Sequence, residues 1–96
     1  MLFAFLVMGN YDSTRDRAAV HGGDTRMIGV KNLDDACGAA RELLKEGVSC
    51  IELCGAFGPD GARRIIEATG GKIPVGYVTH FPEQDELFDR VFGSKK

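Results

Sequence analysis

The sequence has few cysteines, no surplus of basic residues and no long apolar run. Its three cysteines, Cys37, Cys50 and Cys54, are an odd number, whereas small secreted domains stapled by disulfides usually carry four, six or eight. We therefore expect free thiols and a cytoplasmic location. The 12 basic and 14 acidic residues give a net charge of −2, which argues against a nucleic-acid or anionic-membrane partner.

No apolar stretch approaches the roughly 18 residues that a membrane span requires. The opening segment MLFAFLVM has no positively charged region before it and no small-residue cleavage site after it, so we interpret it as a β-strand rather than a signal peptide. With 44% apolar and 27% charged residues, the 96-residue chain predicts a single α/β domain over residues 1–96, with a basic tail at 94–96.

Glycine is in excess, with 13 residues in 96, about twice its average share. Most of these glycines separate periodic segments, and the segments predict the order βαβαβαβα. The predicted strands lie at 2–9, 26–30, 48–54 and 73–79, and the predicted helices lie at 13–20, between Asn32 and Gly47, between Pro59 and Gly70, and between Phe81 and Gly93. Residues 2–9 are apolar at both parities, which is typical of a strand covered on both faces.

Alternating strands and helices with short connections indicate a parallel sheet with right-handed crossovers. Four strands are too few to close a barrel. We therefore expect a three-layer α/β/α domain with a four-stranded parallel sheet in the flavodoxin-like order 2-1-3-4. A half-barrel that is completed by a second copy is the alternative. In either case, ligands are expected outside the carboxyl ends of the strands.

Three segments carry a resemblance to a known family: FAFLVMGNYD, TRMIGVKNLDDA and GVSCIELCGAFGPDGARRIIEATGGKIPVGYVTH. Together they cover nearly the whole chain, which resembles a family of small bacterial proteins of about one hundred residues with a domain-of-unknown-function label. The resemblance implies no activity. GVSCIELCGAFG and KIPVGYV are also similar to consecutive βα units of phosphate-binding barrel enzymes such as small aldolases, but no catalytic residue carries over.

The segments that follow the predicted strands contain the candidate ligand-binding residues. The glycine-rich turn CGAFGPDGAR lets backbone amides approach an anion at a helix N-terminus, although it lacks the Gly-Lys-Ser/Thr end of a nucleotide-binding loop. The alternative interpretations are a tight strand-to-helix turn here, helix capping by Asp12, and a solvated charge at Lys31. The predicted ligand-binding set is Gly9, Asn10, Asp12, Lys31, Asn32, Gly55, Phe57 and Gly58.

Glu52 is the residue that is hardest to explain structurally, because it lies inside a strand that we expect to be covered on both faces. Period-2 alternation places Cys54 on the same face, and His80 follows the neighbouring predicted strand. Glu52, Cys54 and His80 are therefore candidate catalytic residues for general acid/base or thiolate chemistry. In the alternative interpretation, Glu52 is bonded to backbone or arginine, Cys54 is a small core residue, and His80 caps the last helix.

We expect no metal site, because Cys50 and Cys54 on an extended strand would lie roughly 13 Å apart, too far to share one tetrahedral ion. We also expect no cofactor. The predicted function is binding of a small polar or anionic metabolite at the carboxyl-terminal edge of the sheet. The alternatives are an isomerase- or lyase-like enzyme that uses Glu52 with Cys54 or His80, and a ligand-free assembly module. We also expect a homodimer through the terminal helix, which carries Phe88 and Phe92, or through a sheet edge.

Overall fold

Five β-strands and three α-helices make up the protein, in a computed structural model that describes residues 1–93. The elements are β1 (Phe3–Met8), β2 (Arg17–Val20), β3 (Thr25–Val30), α1 (Leu33–Lys45), β4 (Cys50–Leu53), α2 (Gly58–Ala68), β5 (Val75–Tyr77) and α3 (Asp85–Phe92). Single 3-10 turns lie at His21–Gly23 and Pro82–Gln84. The predicted basic tail at 94–96 lies outside the described residues.

The strands form one mixed sheet in the order β2-β3-β1-β4-β5. The four strands β3, β1, β4 and β5 are parallel, and β2 runs antiparallel to β3 at the edge. The parallel strands follow the order predicted for them. The additional edge strand means that the sheet as a whole does not have the flavodoxin-like arrangement.

The predicted helix at 13–20 is wrong. The Asp12 carboxylate accepts hydrogen bonds from the backbone N–H of Thr14 at 3.0 Å and from its hydroxyl at 2.7 Å, and closes a turn. After this turn, Arg17–Val20 pairs with Thr25–Ile28 as β2. A short polar side chain that bonds the backbone two residues on favours a turn as readily as a helix start, and strand pairing decides between them here.

Helices α1 and α2 are confirmed and lie on the same face of the sheet. Their connections, β3 to β4 and β4 to β5, run in the same direction across the sheet, so right-handed crossovers put both helices on one side. The core between these layers consists of small and branched apolar residues and one aromatic residue, namely Ala4, Leu6, Ile28, Val30, Ala36, Cys37, Ala40, Leu43, Val48, Ile51, Leu53, Phe57, Ala62, Ile65 and Ile73.

Within residues 1–93, no helix covers the opposite face of the sheet. The predicted first helix would have crossed that face between β1 and β3, but the connection between these strands contains the edge strand β2 instead. Helix α3 does not cover the face either, since none of its residues is buried. The predicted three-layer sandwich is therefore wrong, and the described chain has two layers. We call this uncovered surface the open sheet face; it consists of Phe3, Phe5, Val7, Ala18, Val20, Thr25, Met27, Gly29, Cys50, Glu52 and Gly76.

Candidate functional site

Glu52 lies on the open sheet face in the middle of β4 and is partly buried. It is paired in register with Phe5 of β1 on one side and with Gly76 of β5 on the other. The carboxylate leans over Gly76, since a Cβ placed there would come within 2.5 Å of Oε1. An acidic side chain therefore occupies a gap in an apolar surface, and the gap exists because position 76 has no side chain.

The polar neighbour of Glu52 is Cys50, whose Sγ lies 3.9 Å from Oε2. Among residues 1–93, no ion pair within 4.0 Å involves Glu52. Burial and the nearby carboxylate raise the pKa of the Cys50 thiol. Cys50 is therefore a protonated thiol that donates weakly to Glu52, and it is not an activated nucleophile.

Cys54 and His80, the other two candidate catalytic residues, have different partners. The backbone N–H of Met8 donates to Cys54 Sγ at 3.3 Å, and Cys54 packs against the core. His80 Nε2 lies 2.7 Å from Asp85 Oδ1. The hydrogen bonds of the described chain join neither residue to Glu52, so the catalytic roles of these three residues stay predictions.

The imidazole of His80 also stacks on the ring of Phe88, with centroids 3.8 Å apart and planes 6° from parallel. A second ring contact joins Phe88 to Phe92, with centroids 5.8 Å apart. These contacts hold α3 against the segment that follows β5 rather than against the sheet. His80 therefore contacts the Asp85 side chain and the Phe88 ring, but within the described residues it bonds no backbone N–H at the start of α3 and does not act as the helix cap of the alternative interpretation.

The glycine-rich turn lies between β4 and α2, at the carboxyl end of the sheet. Gly58 has φ = +63°, which favours glycine, and Phe57 points into the core. Among the described residues, no side chain caps the N-terminus of α2. Gly55 is exposed, and a Cβ added there would meet only the Val78 carbonyl oxygen, at 3.5 Å. The turn is structurally required at Gly58, while Gly55 presents bare backbone to solvent.

Asn32 caps α1, as its position before the helix indicated. Its side-chain oxygen accepts from the Asp35 N–H at 2.8 Å. The Asp35 carboxylate accepts from the Lys31 N–H at 3.0 Å and from the Ser13 hydroxyl at 2.9 Å. The N-terminus of α1 is therefore occupied by the protein's own carboxylate, which disfavours an anionic ligand there.

Asn10, Asp12 and Lys31 are all exposed near this edge. The bonds from Thr14, together with the positive charge of Lys31, lower the pKa of Asp12. Asp12 is therefore a turn-forming carboxylate that stays ionised at neutral pH. In the described chain, the side chains of Asn10 and Lys31 make no hydrogen bond or ion pair.

The packing of the Tyr11 ring on two glycines is a feature of this region that was not predicted from the sequence. The ring covers Gly29 on the open sheet face, since a Cβ at that position would lie 2.6 Å from Tyr11 Cγ, and it also lies against Gly9. Beside the ring is a shallow depression of about 280 Å³ lined by Val7, Tyr11, Asp16, Arg17, Ala18, Met27 and Gly29. A glycine inside an apolar strand was the available signal for this close approach.

Within 1–93, no three His, Cys, Asp or Glu side chains come together in a way that would hold a metal ion. None of the helices in this range has the length and apolar character needed to cross a membrane.

Comparison with known proteins supports the resemblance noted in the sequence. A model of a family of unknown function, DUF6506, matches residues 1–93. Neither a curated protein nor a solved structure matches the chain. Because the family model covers almost the whole sequence, the chain belongs to the family of unknown function DUF6506.

Proposed function

We propose that the protein binds a small polar molecule through Glu52, on the open sheet face at the middle of β4. The observation that carries this proposal is the environment of the Glu52 carboxylate, which is partly buried on an apolar face beside a thiol and has no basic partner in the described chain. A partly buried carboxylate on an apolar surface is stabilised by hydrogen-bond donors. An amine or hydroxyl group of a ligand would supply them.

The surroundings of Glu52 favour a compact ligand. Gly76 leaves space on one side of the carboxylate, and Phe5 provides an apolar wall on the other. Gly55 follows the end of β4, three residues beyond Glu52, which corresponds to roughly 10 Å of extended chain. An acidic group of the ligand is repelled at Glu52 and is better placed at the bare backbone of Gly55. A molecule with a donor at one end and an acidic or neutral polar group at the other fits this arrangement.

A thermal-shift panel of primary amines, amino acids, polyols, carboxylates and phosphates tests this proposal. We expect a compound with an amine or hydroxyl group to stabilise the protein, by about 2.7 kcal/mol when its concentration is one hundred times its dissociation constant. Simple carboxylates and phosphates without a donor should have little effect, because Glu52 repels them.

Glu52→Gln keeps the shape of the side chain and removes its charge. Loss of a charge-assisted hydrogen bond should weaken binding of the stabilising compound by roughly tenfold or more. Glu67→Gln, on the exposed surface of α2, is the matched control and should leave binding unchanged. A panel without any stabilising compound, or equal binding to the wild type and Glu52→Gln, would contradict the proposal.

No contact in the described chain supports the alternative of an isomerase- or lyase-like enzyme. Isomerase- or lyase-like chemistry needs a second titratable group within hydrogen-bond reach of Glu52 or of a shared substrate atom. Cys54 is bonded to the Met8 backbone, His80 is bonded to Asp85, and the Cys50 thiol is protonated. Binding without chemistry is therefore the function that we propose.

A further inference from the structure

We propose that the open sheet face is a self-association surface. Two copies of the chain pack face to face through it, and α3 of each copy contacts the other copy. This inference does not depend on the proposed ligand, but the contact covers Glu52, so a ligand and a second copy compete for the same face. It commits to a second copy of this chain as the occupant of the face.

The first observation is the apolar character of the open sheet face. Strands in parallel sheets are normally covered on both faces. Here Phe3, Phe5 and Val7 are only partly buried, Met27 is 49% exposed and Val20 is 60% exposed. Because β1 is the central strand, this surface is continuous across the middle of the sheet. A contiguous apolar surface of this kind is typical of an interaction site.

The second observation is that α3 contacts the segment after β5 through Phe88 but leaves most of its apolar surface exposed. Its apolar side chains are spaced by one helical turn, Leu87 with Val91 and Phe88 with Phe92, and Val91 and Phe92 are 75% and 67% exposed. Isolated helices shorter than about 12 residues are marginal in water. The described chain therefore holds two exposed apolar surfaces, one on the sheet and one on a helix that does not pack on that sheet.

The area available is of the size that a dimer needs. Strand spacing and rise give the open sheet face a projected area of roughly 400 Å². Protruding side chains make its accessible area larger than this projected area, and α3 adds the surface of a helix roughly 12 Å long. The combined surface is of the order of the about 800 Å² per partner that specific protein interfaces bury.

Charge selects one of the two symmetric arrangements. Face-to-face packing has its two-fold axis either along β1 or across it. Since Glu52 is in register with Phe5, near the middle of β1, an axis across the strands would place the two Glu52 carboxylates opposite each other. An axis along β1 instead places Glu52 over β3 of the second copy, away from the partner's Glu52. We therefore infer the arrangement with the axis along β1.

Sedimentation equilibrium of the full chain without added ligand tests the inference. We expect a particle of twice the 10.4 kDa chain mass. Met27→Glu puts a carboxylate into the middle of the contact and should raise the dimer dissociation constant by roughly tenfold or more. Ile66→Glu, at a site 39% exposed on α2, is the matched control and should leave the dimer intact. Circular dichroism of both variants establishes that they are folded.

The α3 contact has its own variant, Phe92→Asp, which should also weaken the dimer. A wild-type chain that sediments at 10.4 kDa at high concentration would overturn the inference. A dimer that Met27→Glu leaves unchanged would also overturn it. A dimer unaffected by Phe92→Asp would overturn the part that concerns α3.

Alkylation of Cys50, which lies on the contact face, should slow as protein concentration rises. A rate independent of concentration would count against the same face.

Discussion

Two side chains on the open sheet face lie against glycines of a neighbouring strand. Tyr11 covers Gly29, and Glu52 covers Gly76. Glu52 could be recognised from the sequence as an anomaly, because an acidic residue inside an apolar strand needs an explanation. Its gap at Gly76 could not, since the pairing register of two strands that are separated by a helix does not follow from either strand alone.

Gly29→Ala should destabilise the protein, because its methyl group would occupy the space of the Tyr11 ring. We expect a loss of about 1 to 3 kcal/mol in the free energy of unfolding, measured by urea denaturation. Gly38→Ala is the control: a Cβ at this position in α1 has open space around it, and the change should stabilise the helix by about 0.5 to 1 kcal/mol. Equal stability of the wild type and Gly29→Ala would show that the packing of Tyr11 on Gly29 does not contribute to the free energy of unfolding.

The raised pKa of Cys50 should be visible in the pH profile of its alkylation. In a chain with Cys37→Ala and Cys54→Ala, at low protein concentration, the midpoint should lie above that of an ordinary thiol, about 8.5. Glu52→Gln removes the carboxylate charge, so the midpoint should fall and the rate of iodoacetamide reaction at pH 8 should rise roughly two- to fivefold. Identical profiles with and without this change would exclude an influence of Glu52 on the thiol.

At the scale of elements, the long helices were predictable and the short segment at 13–20 was not. Helices α1 and α2 have apolar residues at helical spacing over 13 and 11 residues, which is a strong local signal. Residues 13–20 carry a polar turn followed by four residues that β3 recruits as an edge strand. Their structure is decided by a partner strand, so it could not be predicted from local pattern.

Asn32→Ala should lower the stability of α1 without changing its packing. Loss of the hydrogen bond from the Asp35 N–H is expected to cost about 1 kcal/mol in the free energy of unfolding. Asn10→Ala is a matched control, because Asn10 is exposed; its effect should stay within about 0.5 kcal/mol. If Asn32→Ala instead weakened ligand binding at unchanged stability, Asn32 would belong to the binding site, as first predicted from the sequence.

At the scale of the whole molecule, the order of the parallel strands was predictable from connection rules, whereas the number of layers was not. Right-handed crossovers and short loops restrict the strand order. The layers depend on the first connection, where one edge strand replaces a helix. Apolar residues at both odd and even positions of β1 predicted that helices would cover both faces of the sheet. In the structure, helices of the described chain cover only one face. The proposed second copy accounts for the remaining face.

The central position of β1 also has a consequence for folding during synthesis. This strand precedes the other four in the chain, yet one of its two neighbours in the sheet, β4, begins only at Cys50. Until residues 50–53 leave the ribosome, one edge of β1 has no strand to pair with, and its apolar side chains lack most of their core. Such edges favour aggregation of partly made chains. The growing chain is therefore most vulnerable between completion of β3 and arrival of β4.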